Sequence, residues 1–184
     1  MVITQITDLA KCVLREYICS GDLVVDATLG NGNDASFLAK LVGINGEVYA
    51  FDIDINATES CAKKFKNEYP QITIIHDSHE NIDAYISSEI SAAVFNLGYL
   101  PGSDHQIYTQ SHTTLSAIKK ILKLLKPSGI LSIASYVDHD DYKEFREIKE
   151  FMKNLNSKDF KVMYMNPENQ SEKAPKLFMC QKIN

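Results

Sequence analysis

The stretch Leu23-Val24-Val25-Asp26-Ala27-Thr28-Leu29-Gly30-Asn31-Gly32-Asn33-Asp34-Ala35 decides the fold. Three apolar residues closed by an acid read as a short strand buried on both faces. Gly30 and Gly32 then make a tight turn whose backbone can take positive φ and approach a ligand closely. A helix from about Asp34 to Leu41 follows, and Ala35 stands where a G-x-G-x-x-G/A pattern has its third small residue. The next strand, Glu47-Val48-Tyr49-Ala50-Phe51, ends at Asp52, whose carboxylate can accept both hydrogen bonds of a ribose diol. The glycine pattern alone says little. Strand, turn, helix, strand and terminal acid together point to a nucleoside cofactor.

Outward from this unit the alternation continues. Leu9, Val13, Leu14, Tyr17 and Ile18 recur at helical spacing, so a helix precedes the first strand and ends near Ser20-Gly21. Asn56 is the expected cap of a helix running to about Tyr69. Ile72-Thr73-Ile74-Ile75 is a third strand ending at His76-Asp77, and a short helix covers about Glu80 to Ile86. Ala92-Ala93-Val94-Phe95 is a fourth strand ending at Asn96. Thr114 to Leu125 is an amphipathic helix, Pro127-Ser128-Gly129 a turn, Ile130 to Ser135 a fifth strand, and Asp141 to Leu155 a helix. Phe160 to Met165 and Lys176 to Gln181 have no helix between them and are expected to pair antiparallel at one edge. The chain is thus expected to be one α/β domain, residues 1–184, Rossmann-like, with a mainly parallel sheet covered on both faces and a C-terminal antiparallel hairpin.

The chain has 184 residues, 45% hydrophobic and 23% charged, with a net charge of −5. These values suit a soluble globular domain and exclude a collagen-like, disordered or coiled-coil chain. No apolar run reaches the roughly 20 residues of a membrane span. The N-terminus lacks the pattern of a secretory signal, and the four cysteines form no CxxC pair. Zinc is not expected, and a reduced cytoplasmic compartment is. The negative balance argues against coating nucleic acid by bulk charge, but leaves room for a local basic patch.

In open α/β sheets a ligand sits at the carboxyl ends of the strands, where strand order reverses. Asp26 and Asp34 bracket the glycine turn and would repel a pyrophosphate. S-adenosylmethionine carries a sulfonium and an ammonium instead, which acidic neighbours favour. The charge sign therefore selects this cofactor over NAD. Asp34 can equally cap its helix. In His76-Asp77-Ser78-His79, Asp77 can accept from an adenine amine, or the group can turn and cap the next helix. Phe95-Asn96-Leu97-Gly98-Tyr99-Leu100-Pro101-Gly102-Ser103-Asp104 is apolar, glycine-rich and aromatic at the expected switch point. There Asn96 offers a carbonyl oxygen to orient a nitrogen nucleophile, and Tyr99 an aromatic wall.

These segments resemble a small bacterial family labelled rRNA methylases, the YtqB-like family. The resemblance rests on Asp26 to Asp34, on Phe51-Asp52-Ile53 and His76 to His79, and on the specific string Asn96-Leu97-Gly98-Tyr99-Leu100-Pro101-Gly102. Leu125-Lys126-Pro127-Ser128-Gly129 also looks like the turn before strand five in class I methyltransferases. The resemblance implies a Rossmann-like fold, S-adenosylmethionine as cofactor and a homodimer. It also implies methylation of the amine of 5-aminomethyl-(2-thio)uridine at the wobble position of tRNA. The cofactor residues so expected are Asp26, Thr28, Gly30, Asn31, Gly32, Asp34, Asp52, Ile53, His76, Asp77, Ser78, His79, Asn96, Leu97 and Gly98.

The expected chemistry is methyl transfer to a primary amine, which must first lose a proton, since alkylammonium groups near pKa ~10 are charged at neutral pH. Burial against Tyr99 and Leu100 would lower that pKa. Asn96 would hold an N–H, and Asp104 or His139 would accept the proton. Tyr99 or Tyr136 can stack on a flipped base. Lys119, Lys120, Lys123, Lys126, Lys173 and Lys176 are candidates for phosphate contact, although such a run is also the ordinary solvated face of an amphipathic helix. Competing readings are methylation of an rRNA base or a protein side chain, and a cofactor-binding module without catalysis.

Overall fold

The computed structural model describes residues 5–98, 109–136 and 142–184. The strands are β1 (Leu23–Asp26), β2 (Glu47–Asp52), β3 (Ile72–His76), β4 (Ile90–Leu97), β5 (Leu125–Ser135), β6 (Phe160–Met165) and β7 (Lys176–Lys182). They form one seven-stranded sheet in the order β3-β2-β1-β4-β5-β7-β6. The first five are parallel, and β7 runs antiparallel to both β5 and β6. The order reverses between β1 and β4, so a crevice opens beyond Asp26 and Leu97. The C-terminal hairpin follows from the lack of a helix between β6 and β7, which leaves no crossover to make them parallel.

Consecutive strand residues face opposite sides. Val24, Val48, Ala92, Val94, Ala134 and Leu177 pack under α1 (Ile6–Tyr17) and α2 (Asn33–Val42). Val25, Phe51, Ala93, Phe95, Ile133 and Phe178 pack under α4 (Ser111–Leu124), α5 (Lys143–Lys153) and a short 3-10 helix (His79–Ala84). The remaining helix, α3 (Ile55–Phe65), buries Cys61 and Phe65 against Leu29, Ala35 and Ala50. Both faces are thus covered, as the unbroken apolar strands β1 and β4 require.

Four local expectations are revised. The first helix begins at Ile6 rather than Leu9, closed by a Gln5–Asp8 capping box. Asp54, not Asn56, caps α3: its carboxylate accepts from the Asn56 backbone N–H at 2.9 Å. That helix stops at Phe65, and Tyr69 folds back edge-on to the Phe65 ring at 5.7 Å. Pro127-Ser128-Gly129 is no turn before a strand. It is an irregularity inside β5, where Leu125 already pairs with Ile90, the register then shifts, and Ser128 takes φ +65°.

Candidate active site

The glycine turn is held from three sides. The Leu29 N–H donates to Phe51 O at 2.8 Å, and the Gly30 N–H to Asp52 Oδ2 at 2.7 Å. From α3, Cys61 Sγ donates to Gly30 O at 3.4 Å and Lys64 Nζ to Asn31 O at 3.1 Å. Gly30 has φ +48° and Gly32 +75°. A Cβ at Gly32 would lie 2.4 Å from the Phe65 ring and 2.9 Å from Cys61 Sγ. Close approach at Gly32 therefore serves the packing of α3. Spacing could not reveal this, because Phe65 lies 33 residues away.

Asp52 ends β2 with both oxygens engaged. Oδ2 takes the Gly30 N–H, and Oδ1 takes the Asp54 N–H at 2.9 Å. Each carboxylate oxygen has a second lone pair, so capacity for a diol remains. Burial raises the Asp52 pKa. The neighbouring Ile53 is half exposed, and its carbonyl accepts from His76 Nε2 at 3.1 Å.

Asp26 is fully buried at the end of β1. Its Oδ1 accepts the Thr28 N–H at 3.0 Å, while Oδ2 is buried with no partner among the described residues. Burial, then the charges of Asp34 and Asp52, push its pKa up to about 8. Thr28 ties β1 to β4, its Oγ1 accepting the Asn96 N–H at 2.7 Å.

Asp34 is not the cap of α2; Gly32 holds that position, and Asp34 lies in the first turn. Its Oδ1 pairs with Lys11 Nζ of α1 at 3.0 Å, and its Oδ2 lies 3.5 Å from Asn96 Nδ2. A carboxylate only accepts, so the Asn96 amide nitrogen faces Asp34. The other amide atom, Oδ1, is buried with no partner among the described residues. Lys11 was absent from the sequence-based set. It lies 23 residues before Asp34, and no motif marks it.

At the end of β3, Asp77 builds structure. Oδ1 accepts from the Ser78 N–H at 2.7 Å and Asn81 Nδ2 at 2.9 Å, and Oδ2 from Tyr85 Oη at 2.9 Å. Asn81 leads the bonds that hold its pKa below the usual value. Ser78 caps the 3-10 helix through Glu80 N. The His79 ring reaches back to Ala27 O at 3.0 Å and packs edge-on to Phe95. That carbonyl can only accept, so Nδ1 carries the proton. Nε2 is then an acceptor, buried without a partner among the described residues, and burial lowers the ring's pKa.

Beyond β4, Leu97 O accepts from the Tyr136 N–H at 3.0 Å and Gly98 O from the Thr109 N–H at 3.1 Å. Ser135, at the end of β5, is fully buried, its Oγ without a partner among the described residues, and no sequence motif marks it. Tyr99, Leu100, Asp104 and His139 lie outside the described residues. Two candidate phosphate contacts are already paired: Lys120 with Asp83 at 2.6 Å and Lys126 with Asp22 at 2.8 Å. Asp22 precedes β1, so Lys126 sits at the end of the sheet away from the crevice.

Five buried side-chain atoms lack a partner among the described residues. Four are Asp26 Oδ2, His79 Nε2, Asn96 Oδ1 and Ser135 Oγ, on segments at the carboxyl end of the sheet; the fifth is on Gln71. Buried polar atoms are costly unless bonded, so Asp26 Oδ2 and Asn96 Oδ1, both on the α1 and α2 face of the sheet, mark a place for a ligand rich in N–H and O–H donors, whereas Ser135 lies on the opposite face. An ammonium and a ribose diol match Asp26 and Asp52, so the residues fit S-adenosylmethionine.

The sheet order and this crevice define the class I methyltransferase fold. A Clostridium thermocellum structure described as a "putative rRNA-methylase" superposes with a TM-score of 0.95 at 39% identity, covering all of both chains. A Streptococcus mutans "putative methyltransferase" in complex with SAH gives 0.90 at 36%, covering 99% of this chain and all of that one. The model of the family described as "Putative rRNA methylase" matches residues 48–181, and the chain belongs to that family. A chloroplastic tRNA (mnm(5)s(2)U34)-methyltransferase of Arabidopsis thaliana is 36% identical over 137 residues, 68% of this chain. The chain spans about half, 50%, of that curated relative's length.

Proposed function

We propose that this chain is an S-adenosylmethionine-dependent methyltransferase that methylates the amine of 5-aminomethyl-(2-thio)uridine at the tRNA wobble position. The observation that carries the reading is the Asn96 amide: its nitrogen faces a carboxylate, and its carbonyl oxygen is buried without a partner among the described residues at the sheet's switch point. Such an oxygen accepts an N–H and aims the lone pair of a nitrogen nucleophile. The similarity to the Arabidopsis tRNA methyltransferase supports the substrate class.

When bound, the cofactor supplies an electrophilic methyl group on a sulfonium. Asp52 would accept the ribose hydroxyls through its remaining lone pairs. Asp26 would accept from an ammonium through Oδ2, and a cation there would favour its ionised form. Thr28 keeps the β1 turn and Asn96 in register. Tyr99, Asp104 and His139 remain the candidates for walling the amine and taking its proton.

The test is nucleoside mass spectrometry of tRNA from cells lacking the protein. Accumulated 5-aminomethyl-type uridine, restored to the methylated form by the purified enzyme, is the expected result. Unchanged tRNA with a methyl group missing from rRNA would replace this substrate with the other.

A further inference from the structure

Lys176 opens β7, is only 7% exposed, and its ammonium makes no ion pair or hydrogen bond among the described residues. Ser135 stands directly opposite it on β5, and Leu97 of β4 directly opposite Ser135. Residues opposite one another share a face, so Lys176 and Ser135 lie on the α5 side with Phe178 and Ile133. Ser135 Oγ is fully buried and has no partner among the described residues. The Lys176 stem is packed in the sheet while its Nζ is not among the buried atoms left without a partner, so the ammonium reaches solvent from a packed strand, and the Ser135 hydroxyl is carried by the residue across from it in register.

We propose that Lys176 and Ser135 form an anion subsite that takes a backbone phosphodiester of the substrate RNA. This rests on the reading that the methyl acceptor is RNA. The subsite lies on β5 and β7, beyond β4 from the carboxylates of Asp26 and Asp52. It also lies on the opposite face from Asn96, which reaches toward Asp34 and Lys11 beneath α1. It is therefore separate from the cofactor's acidic surroundings and placed to hold the acceptor strand. A phosphate here positions the RNA without reading its sequence.

The experiment measures binding of a labelled tRNA anticodon stem-loop by fluorescence anisotropy across a salt series. The proteins are the wild type, Lys176→Met, Lys176→Arg and Ser135→Ala, with folding checked by thermal unfolding. Loss of one phosphate contact should weaken binding about tenfold and flatten the log K against log[salt] slope by about 0.7–1. Lys176→Arg should retain affinity, and Ser135→Ala should lose less than Lys176→Met. Calorimetric affinity for S-adenosylmethionine should not change in any variant. Should Lys176→Met fail to fold, Lys176→Gln carries the same comparison. Unchanged RNA affinity and slope in a folded Lys176 variant overturns the proposal while leaving the RNA reading intact. So does a loss of S-adenosylmethionine binding in step with RNA binding, which would assign Lys176 to the cofactor carboxylate. A wild type that binds no stem-loop removes the RNA reading, and the proposal with it.

Discussion

Three carboxylates and one lysine set the electrostatics of the crevice. Asp26, Asp34 and Asp52 interact, and among the described residues only Asp34 has an ion pair with a lysine. Because the folded-state pKa of Asp26 is raised, the folded form holds a proton that the unfolded chain releases near pH 4. Its contribution is fully present below that pH and is lost as pH rises toward about 8. Thermal unfolding of the ligand-free protein should therefore show a Tm that falls between pH 5 and 8, and Asp26→Asn should flatten that fall. An unchanged profile in Asp26→Asn would contradict the assignment. Lys11 and Asp34 are both partly buried, so Lys11→Met should cost about 1–2 kcal/mol, between a surface pair and a buried one. Lys11→Arg should recover most of it in the same unfolding measurement. Asn96→Ala, with its buried amide oxygen removed, should lower turnover by about tenfold or more while calorimetry shows near-normal cofactor binding.

Elements, unlike residues, were largely legible from pattern. The apolar runs of β1 to β5 and the helical spacing of α1 and α4 reflect burial within a few residues, which periodicity reports directly. The exceptions are instructive. Pro127-Ser128-Gly129 has turn chemistry, yet pairing of Leu125 with Ile90 draws it into β5 as an irregularity. Ser128→Gly relieves a left-handed backbone at +65° and should stabilise the protein by up to about 1 kcal/mol in denaturant unfolding. Gly32→Ala goes the other way. It adds a methyl group to a +75° backbone and drives it into Phe65, so a loss of about 3 kcal/mol is expected. Phe65→Ala in the same chain should remove the steric part of the Gly32→Ala loss and leave the backbone part.

At the scale of the whole molecule, the helices on the α4 side are joined by a buried carboxylate. Glu144, in the first turn of α5, accepts from Thr109 Oγ1 at 2.7 Å and Thr114 Oγ1 at 2.6 Å. It thereby ties α5 to the start of α4 and to the residue that bonds Gly98 across β4. Glu144→Ala should lower unfolding stability by about 2–4 kcal/mol, more than Thr109→Ala alone, since two hydroxyls lose a charged acceptor at once. Equal losses in the two variants would show that the carboxylate joins nothing beyond Thr109. Among the described residues, no helix is long and apolar enough to cross a membrane.

The sequence by itself determined the alternation of strands and helices, the acidic ends of β1 and β2, the glycine turn and the place of Asn96 at the end of β4. All are written in contiguous residues, where side-chain period and turn chemistry act locally. Only the tertiary structure decided which groups meet there. Lys11 neutralises Asp34, Asn96 bonds Thr28 from 68 residues away, His79 reaches Ala27 across 52, and Ser135 stands against Lys176. These pairings depend on strand order and register, which arise when distant segments bury their apolar faces together, and no local pattern encodes them.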